Sequence, residues 1–354
     1  MRRLPIYFLI DVSESMIGEP LTHVQNGVET IIRELRTDPY ALETVYLSII
    51  AFAGKAKKLC SMQELSNFYP PRLPIGGGTS LGNALLFLMN DMDAAIQRTT
   101  TETKGDWKPI VFLFTDGAPT DDTKAAFERW NSKYRSKANL IAIAIGDNMD
   151  TSVLKEITEN VLQLKDTDEV SFKAFFKWVT ASIKTTSVSV SSLNSDDLKL
   201  APLTDDFLTK IEKEMNIPIK VDENFAVILG KCQNTKQPYL LKYQKRIDRN
   251  DFSHMTSAGG RHFKFVGGYP IDNSYFEMVD GYGDGNLSGK RINTSELIGF
   301  PSCPCCANQV AIGLCMCGNI MCVGHEQNSI CPWCGMQLSF RESGGGMDIG
   351  RTRG

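Results

Sequence analysis

The chain has 354 residues, 42% of them hydrophobic, and a formal net charge of −3 from 38 basic and 41 acidic side chains. That length accommodates two domains with a substantial core, and the near-neutral balance excludes a polyanion-binding surface spread over the whole molecule. No stretch approaches the roughly eighteen apolar residues of a membrane span, and Arg2 and Arg3 run straight into an apolar strand without the features of a secretory signal, so a cytoplasmic protein is expected.

Residues 1–184 alternate between strand and helix patterns, the mark of a doubly wound α/β domain with a mainly parallel, Rossmann-like sheet. Continuous apolar runs at 6–12, 45–52, 110–115 and 140–145 predict strands buried on both faces, with 55–60 as a short antiparallel edge. Helical spacing predicts helices over 21–35, 81–96, 123–138 and 172–183. From 185 to 206 the composition turns to Ser, Thr and Asp, which predicts a flexible linker. A smaller β-rich domain is expected over 207–341, with strands at 225–229, 239–243, 263–266 and 274–279, and the glycine-rich residues 342–354 are expected to be a disordered tail.

Three segments carry chemistry in the first domain. Asp11, Ser13 and Ser15 follow the first strand in Asp-Val-Ser-Glu-Ser, Thr79 lies in Gly-Gly-Gly-Thr-Ser before a helix, and Asp116 follows a strand in Phe-Thr-Asp-Gly. Ligands of open α/β sheets gather at the carboxyl ends of strands. Two carboxylates and three hydroxyls make an all-oxygen set suited to Mg2+ or Mn2+ rather than to zinc or copper. A shell built mainly from neutral hydroxyls leaves the cation electron-poor, with a position that a partner's carboxylate can fill. Gly76-Gly77-Gly78 is not a phosphate loop, because no Gly-Lys-Ser/Thr ending follows it.

The three segments resemble the metal-ion-dependent adhesion site of von Willebrand factor A domains, and all five positions match. The resemblance covers about the first half of the chain. It implies that Ser13, Ser15 and Thr79 contact the cation, while Asp11 and Asp116 hold it directly or through water.

Eight of the ten cysteines lie between Cys303 and Cys334, a clustering expected of metal ligands in a reducing compartment. In order they read Cys303-Pro-Cys305-Cys306, Cys315-Met-Cys317, Cys322-Val-Gly-His325 and Cys331-Pro-Trp-Cys334. Four ligand pairs suit two tetrahedral zinc ions, held by Cys303, Cys306, Cys315, Cys317, Cys322, His325, Cys331 and Cys334 within a 303–335 module, with Cys305 surplus. With a single zinc, Cys303, Cys306, Cys331 and Cys334 would pair as in a zinc ribbon, and His325 would be a surface residue. A cross-braced pairing of the kind found in RING-type ligases is a further alternative. Closed thiolate shells argue for a structural role.

The pairing of an A-type domain with this cluster resembles TerY-like proteins of bacterial tellurium-resistance and stress-response operons, with their C-terminal metal-binding domain. That resemblance implies a bacterial cytoplasmic protein working beside a PP2C-type phosphatase and a serine/threonine kinase in stress or anti-phage signalling.

A non-enzymatic, metal-dependent binding protein for an acidic or phosphorylated protein partner is therefore the leading reading. One rival is phosphoryl transfer with Asp11 or Asp116 as nucleophile, which calls for a second acid and a lysine; Lys55, Lys57 and Lys58 read as solvated charges instead. Another is nucleic-acid binding through Lys242, Lys245, Arg246 and Arg249 with Tyr239 and Tyr243, a pattern that equally describes one solvated and one packed strand face. His23, His254 and His262 lack partners at metal spacing, Cys60 and Cys232 read as small buried hydrophobes, and Trp107, Trp130 and Trp178 as packing residues.

Overall fold

Eight consecutive buried residues, Leu4–Asp11, form the first strand, β1. The computed structural model describes residues 2–102, 104–146, 151–164, 168–192, 200–202, 208–210, 224–245, 262–279, 290–324, 328–340 and 346–352. The chain divides into two units, the first made of Met1–Val12, Glu19–Pro74 and Thr79–Lys220. Its sheet has the order β3-β2-β1-β4-β5-β6-β7, with β2 (Val45–Phe52), β3 (Ala56–Glu64), β4 (Ile110–Thr115), β5 (Asn139–Ile145), β6 (Asn160–Leu164) and β7 (Leu208–Lys210). β1 lies between β2 and β4 and is parallel to both, whereas β3 and β7 are antiparallel edges. The apolar runs are continuous because helices and loops cover the sheet on both faces.

The helices are α1 (Glu19–Leu35), α2 (Pro39–Thr44), α3 (Leu81–Ala95), α4 (Lys124–Arg129), α5 (Ser152–Lys155) and α6 (Glu169–Ser192). α1 buries Val24, Val28, Ile31, Ile32 and Leu35, one stripe at helical spacing. α2 starts at Asp38, whose carboxylate accepts the amide of Ala41, with Pro39 in the first turn. The expected helix 123–138 is α4 continued by a wider turn, Trp130–Tyr134, in which the Trp130 indole donates to the Ile157 carbonyl. Trp107, Trp130 and Trp178 are all buried.

Two boundaries differ from expectation. α6 runs on to Ser192, over the first eight residues of the segment 185–206 expected to be linker, of which 193–199 and 203–206 lie outside the described residues. Thr180, Thr185 and Thr186 each return a hydroxyl hydrogen bond to the carbonyl four residues back, and Ser187 to the one three back, so these polar side chains are satisfied inside the helix. Residues 208–210, which the expected boundary assigns to the second domain without a strand, form a strand that joins the first sheet beside β6.

The second unit comprises Ser13–Gly18, Ile75–Gly78 and Val221–Gly354. Its main sheet has the order β12-β10-β9-β8-β14-β13, with β8 (Phe225–Lys231), β9 (Pro238–Lys245), β10 (Phe263–Pro270), β12 (Leu297–Ile298), β13 (Val310–Leu314) and β14 (Ile320–Val323). Two small ribbons join β11 (Lys290–Asn293) to β17 (Asp348–Arg351) and β15 (Asn328–Ile330) to β16 (Gln337–Ser339). The predicted strand at 274–279 is instead a 3-10 turn, Asn273–Glu277, begun by the Asp272 carboxylate accepting the Ser274 amide. The expected disordered tail is corrected over 346–352: β17 pairs with β11, Ile349 is buried, and Thr352 donates its amide to the Val227 carbonyl. One isoleucine with a partner strand outweighs a glycine-rich surround.

Candidate metal centres

In the first unit, three of the predicted oxygen ligands stand at the carboxyl end of the sheet. Asp11 closes β1 and is fully buried; its Oδ2 accepts a 2.6 Å hydrogen bond from Thr115 Oγ1, at the end of the neighbouring β4. Asp116 follows Thr115 directly and is half-buried. Thr79 precedes α3 and is held through its backbone. Its amide donates to Thr120 Oγ1 at 2.9 Å, and its carbonyl accepts the Thr120 amide at 2.8 Å. The next amide, of Ser80, donates to the Ala53 carbonyl just beyond β2 at 2.7 Å. Asp121 accepts the Gly82 and Asn83 amides, capping α3, and burial raises its pKa above the usual carboxylate range.

Ser13 and Ser15 lie two and four residues beyond Asp11, in the loop Ser13–Gly18 of the second unit. Both are buried, and their hydroxyl oxygens are 3.0 Å apart. Neighbouring ligands of an octahedral cation with bonds of about 2.1 Å stand about 3.0 Å from each other, so the pair has the spacing of adjacent ligands. The loop turns tightly, the Met16 amide donating to the Ser13 carbonyl and the Ile17 amide to the Glu14 carbonyl. Two hydroxyls at this spacing and a neighbouring carboxylate in sequence fit a hard divalent ion.

The cysteines of the second unit form two four-sulfur groups: Cys232, Cys303, Cys306 and Cys322, and Cys315, Cys317, Cys331 and Cys334. Zinc–sulfur bonds of about 2.3 Å in a tetrahedron place sulfurs about 3.8 Å apart. The Sγ separations are 3.8 Å for Cys306–Cys322, 3.9 Å for Cys322–Cys232, 3.7 Å for Cys315–Cys334 and 3.9 Å for Cys317–Cys331. All four match the metal distance and lie far beyond the roughly 2.05 Å of a disulfide. Amides serve the sulfurs as well: Gln233 N donates to Cys322 Sγ, Thr235 N to Cys232 Sγ and Cys317 N to Cys315 Sγ. Ala307 and Gly335 take left-handed conformations one residue after Cys306 and Cys334, which closes each knuckle.

Burial pushes the Cys303 and Cys315 thiols up to about 12. Burial acts the same way on Cys232 and Cys317, but hydrogen bonds from Thr235 and Asn319 respectively outweigh it and bring each down to about 7. A bound cation would favour the thiolate form of its sulfur ligands.

The sulfur groups revise the cysteine reading. Cys232, expected as a small buried hydrophobe, completes the first group. It follows β8, and the parallel register Ile320↔Gly230 and Met321↔Lys231 continues to bring Cys232 level with Cys322. The single-ribbon set is split, Cys303 and Cys306 falling in one group and Cys331 and Cys334 in the other. The groups interleave along the chain, which is the cross-braced connectivity. Cys305 belongs to neither group, and His325 lies outside the described residues. A sequence clue to Cys232 existed: it makes the cysteine count of the region eight once Cys305 is set aside.

The remaining candidates fall as follows. Lys242 is 4% exposed, and Tyr239 and Tyr243 are fully buried, so these three cannot form the nucleic-acid surface; Arg246, Arg249 and His254 lie outside the described residues. Lys58 forms a 2.6 Å ion pair with Asp91, while Lys55 and Lys57 are exposed. The His23 ring packs on Phe172, His262 is exposed, and Cys60 is half-buried with the Gln63 amide on its sulfur. Among the described residues, no helix is long and apolar enough to cross a membrane.

Residues 6–175 match the von Willebrand factor type A domain, which defines the class of the first half: an A domain whose sheet and strand-end residues are those described above. Residues 222–354 match the TerY-C metal binding domain. The chain thus matches an A-domain model over one stretch and a TerY-C model over a later one, and the cysteine groups fall within the second of these, with Cys232 to Cys334 inside 222–354. Solved structures similar to part of the chain include proximal thread matrix protein 1 from the mussel byssus, at 17% identity and a TM-score of 0.39, covering 51% of this chain and 48% of that one. A von Willebrand factor type A protein from Catenulispora acidiphila is similar at 15% identity and a TM-score of 0.40, covering 52% of this chain and 43% of that one. The conserved hypothetical protein BatB from Bacteroides thetaiotaomicron is similar at 13% identity and a TM-score of 0.35, covering 52% of this chain and 99% of that one. The chain spans less than half the length of the first two.

Proposed function

We propose that the protein is a non-enzymatic adaptor that uses a divalent cation to capture an acidic or phosphorylated protein partner. Ser13, Ser15 and Thr79 would hold Mg2+ or Mn2+ directly, and Asp11 and Asp116 directly or through water. The cation, when bound, supplies an electron-poor open position. The observation that carries this reading is the buried pair of serine hydroxyls, 3.0 Å apart, in the loop that leaves Asp11. Within the first unit, Thr115 fixes one oxygen of Asp11.

The two sulfur groups are proposed as structural zinc centres. Each offers four thiolates, which leaves no open position for chemistry. A segment with little apolar mass of its own then draws much of its folding free energy from metal. The TerY-like context suggests a bacterial signalling role, with a PP2C-type phosphatase or a serine/threonine kinase as the partner. Phosphoryl transfer is disfavoured because Lys58, one of the lysines considered for it, is committed to Asp91.

The test is capture of partners from the native host with and without Mg2+, comparing the unaltered protein with Ser13→Ala. Loss of one specific partner in both the metal-depleted and the Ser13→Ala samples is expected. A partner set unaffected by either change would remove the proposal, and phosphoester turnover abolished by Asp116→Ala would replace it with the enzymatic reading.

A further inference from the structure

The loop Ser13–Gly18 is fastened by side chains that the sequence places more than two hundred residues away, all within the second unit. Lys242 of β9 donates from Nζ to the Ser15 carbonyl at 2.5 Å and to the Ile17 carbonyl at 3.1 Å. Its ammonium also lies 4.4 Å from the centre of the Phe225 ring. A buried lysine is costly unless its donors are used, and here the use made of them is to fix the backbone on both sides of Met16. The Glu14 carboxylate, 1% exposed, accepts from Tyr275 Oη at 2.7 Å on one oxygen and from the Gly78 amide at 2.8 Å on the other. Ile17 packs with Val227, Leu240, Ile271, Tyr275 and Val279. Gly18 has φ +96°, and a Cβ there would stand 2.5 Å from the Tyr269 hydroxyl.

The same sheet reaches the first sulfur group. β9 pairs with β8, β8 pairs with β14, Cys322 lies on β14 and Cys232 follows β8. Lys242 and two of the thiols are therefore carried by neighbouring strands of one sheet.

We infer that Lys242 and Tyr275 are positioning residues for the serine ligands, so that a zinc-folded second unit sets the affinity of the Ser13–Ser15 loop for its divalent cation. This rests on the reading of Ser13 and Ser15 as ligands. Groups that orient metal ligands through one intervening bond commonly change metal affinity ten- to a hundredfold when removed. The sign separates positioning from charge. Loss of a nearby ammonium alone would tighten binding of a divalent cation, since like charges repel; loss of the anchor loosens the hydroxyl pair and weakens it.

The experiment is Mn2+ titration of the full chain, read from the electron paramagnetic resonance of free Mn2+, with Asp11→Ala defining the site. Zinc content is measured on every sample. Lys242→Met and Tyr275→Phe are expected to weaken the Asp11-dependent Mn2+ site about tenfold at unchanged zinc content, and Lys242→Arg, which keeps donors and charge, to recover most of that loss. Removing zinc with a chelator is expected to weaken the site in the unaltered protein, and reloading zinc to restore it. If Lys242→Met loses zinc, Tyr275→Phe, which deletes one oxygen, decides. Mn2+ affinity unchanged or tightened in Tyr275→Phe and in zinc-replete Lys242→Met overturns the inference while the site itself stands. Absence of any Asp11-dependent Mn2+ site in the unaltered protein would instead overturn the reading on which it rests.

Discussion

Replacing Cys232 with alanine tests the most unexpected assignment in the second unit. Its sulfur lies 3.9 Å from that of Cys322, the spacing of two ligands on one tetrahedral zinc. A structural zinc held by four protein ligands is worth about 12 kcal/mol near neutral pH. An even division gives about 3 kcal/mol per ligand, on the order of a hundredfold in zinc affinity. Competition of the full chain with a chromophoric chelator, together with elemental analysis, should show one of two zincs weakened by that factor and the other unchanged. Cys305→Ala serves as the control, because Cys305 is in neither sulfur group; His325→Ala should likewise retain both zincs. Two zincs bound with unaltered affinity in Cys232→Ala, or an equal loss in Cys305→Ala, would refute the grouping.

Ile349→Ala should cost about 2–4 kcal/mol in the second unit's resistance to urea, because that side chain is 1% exposed within the β-rich core; no shift in the midpoint would return the C-terminal segment to a passive tail. Thr115→Val removes the donor to Asp11 Oδ2 and should weaken Mn2+ binding severalfold with the thermal midpoint nearly unchanged, as titration and scanning calorimetry can show together. Asp93 provides a pH prediction. The Tyr134 hydroxyl, with nearby lysines and Arg129, holds its carboxyl below the usual range. The folded pKa lies below the unfolded one, so the contribution to stability is present above the usual carboxylate range and fades as pH falls through it. Tyr134→Phe should flatten that part of the stability profile, and an unchanged acid limb would count against the pairing.

The central strands were legible because burial on both faces leaves an unbroken apolar signature, as at Ile6–Ile10 and Ile110–Thr115, and the positions of Asp11 and Asp116 at their ends followed from that. What escaped was non-local or self-compensating. Beyond the bare cysteine count, Cys232 is brought to its partners by the β8–β14 register, which joins residues about ninety positions apart. Lys242 alternates with buried tyrosines as a solvated strand residue would, yet its ammonium is consumed by two carbonyls of a distant loop. The end of α6 was hidden because Ser and Thr oppose a helix until their hydroxyls bond back to it. The turn at Asn273–Glu277 was hidden by an apolar alternation that one Asp272 cap overrides.

The most direct measurement of the central claim is isothermal titration of Mg2+ into the unaltered full chain, Asp11→Ala and Ser13→Ala, all zinc-replete and matched in thermal midpoint. The account predicts one saturable Mg2+ site in the unaltered protein that Asp11→Ala abolishes and Ser13→Ala weakens at least tenfold. Identical isotherms for the three proteins would contradict it.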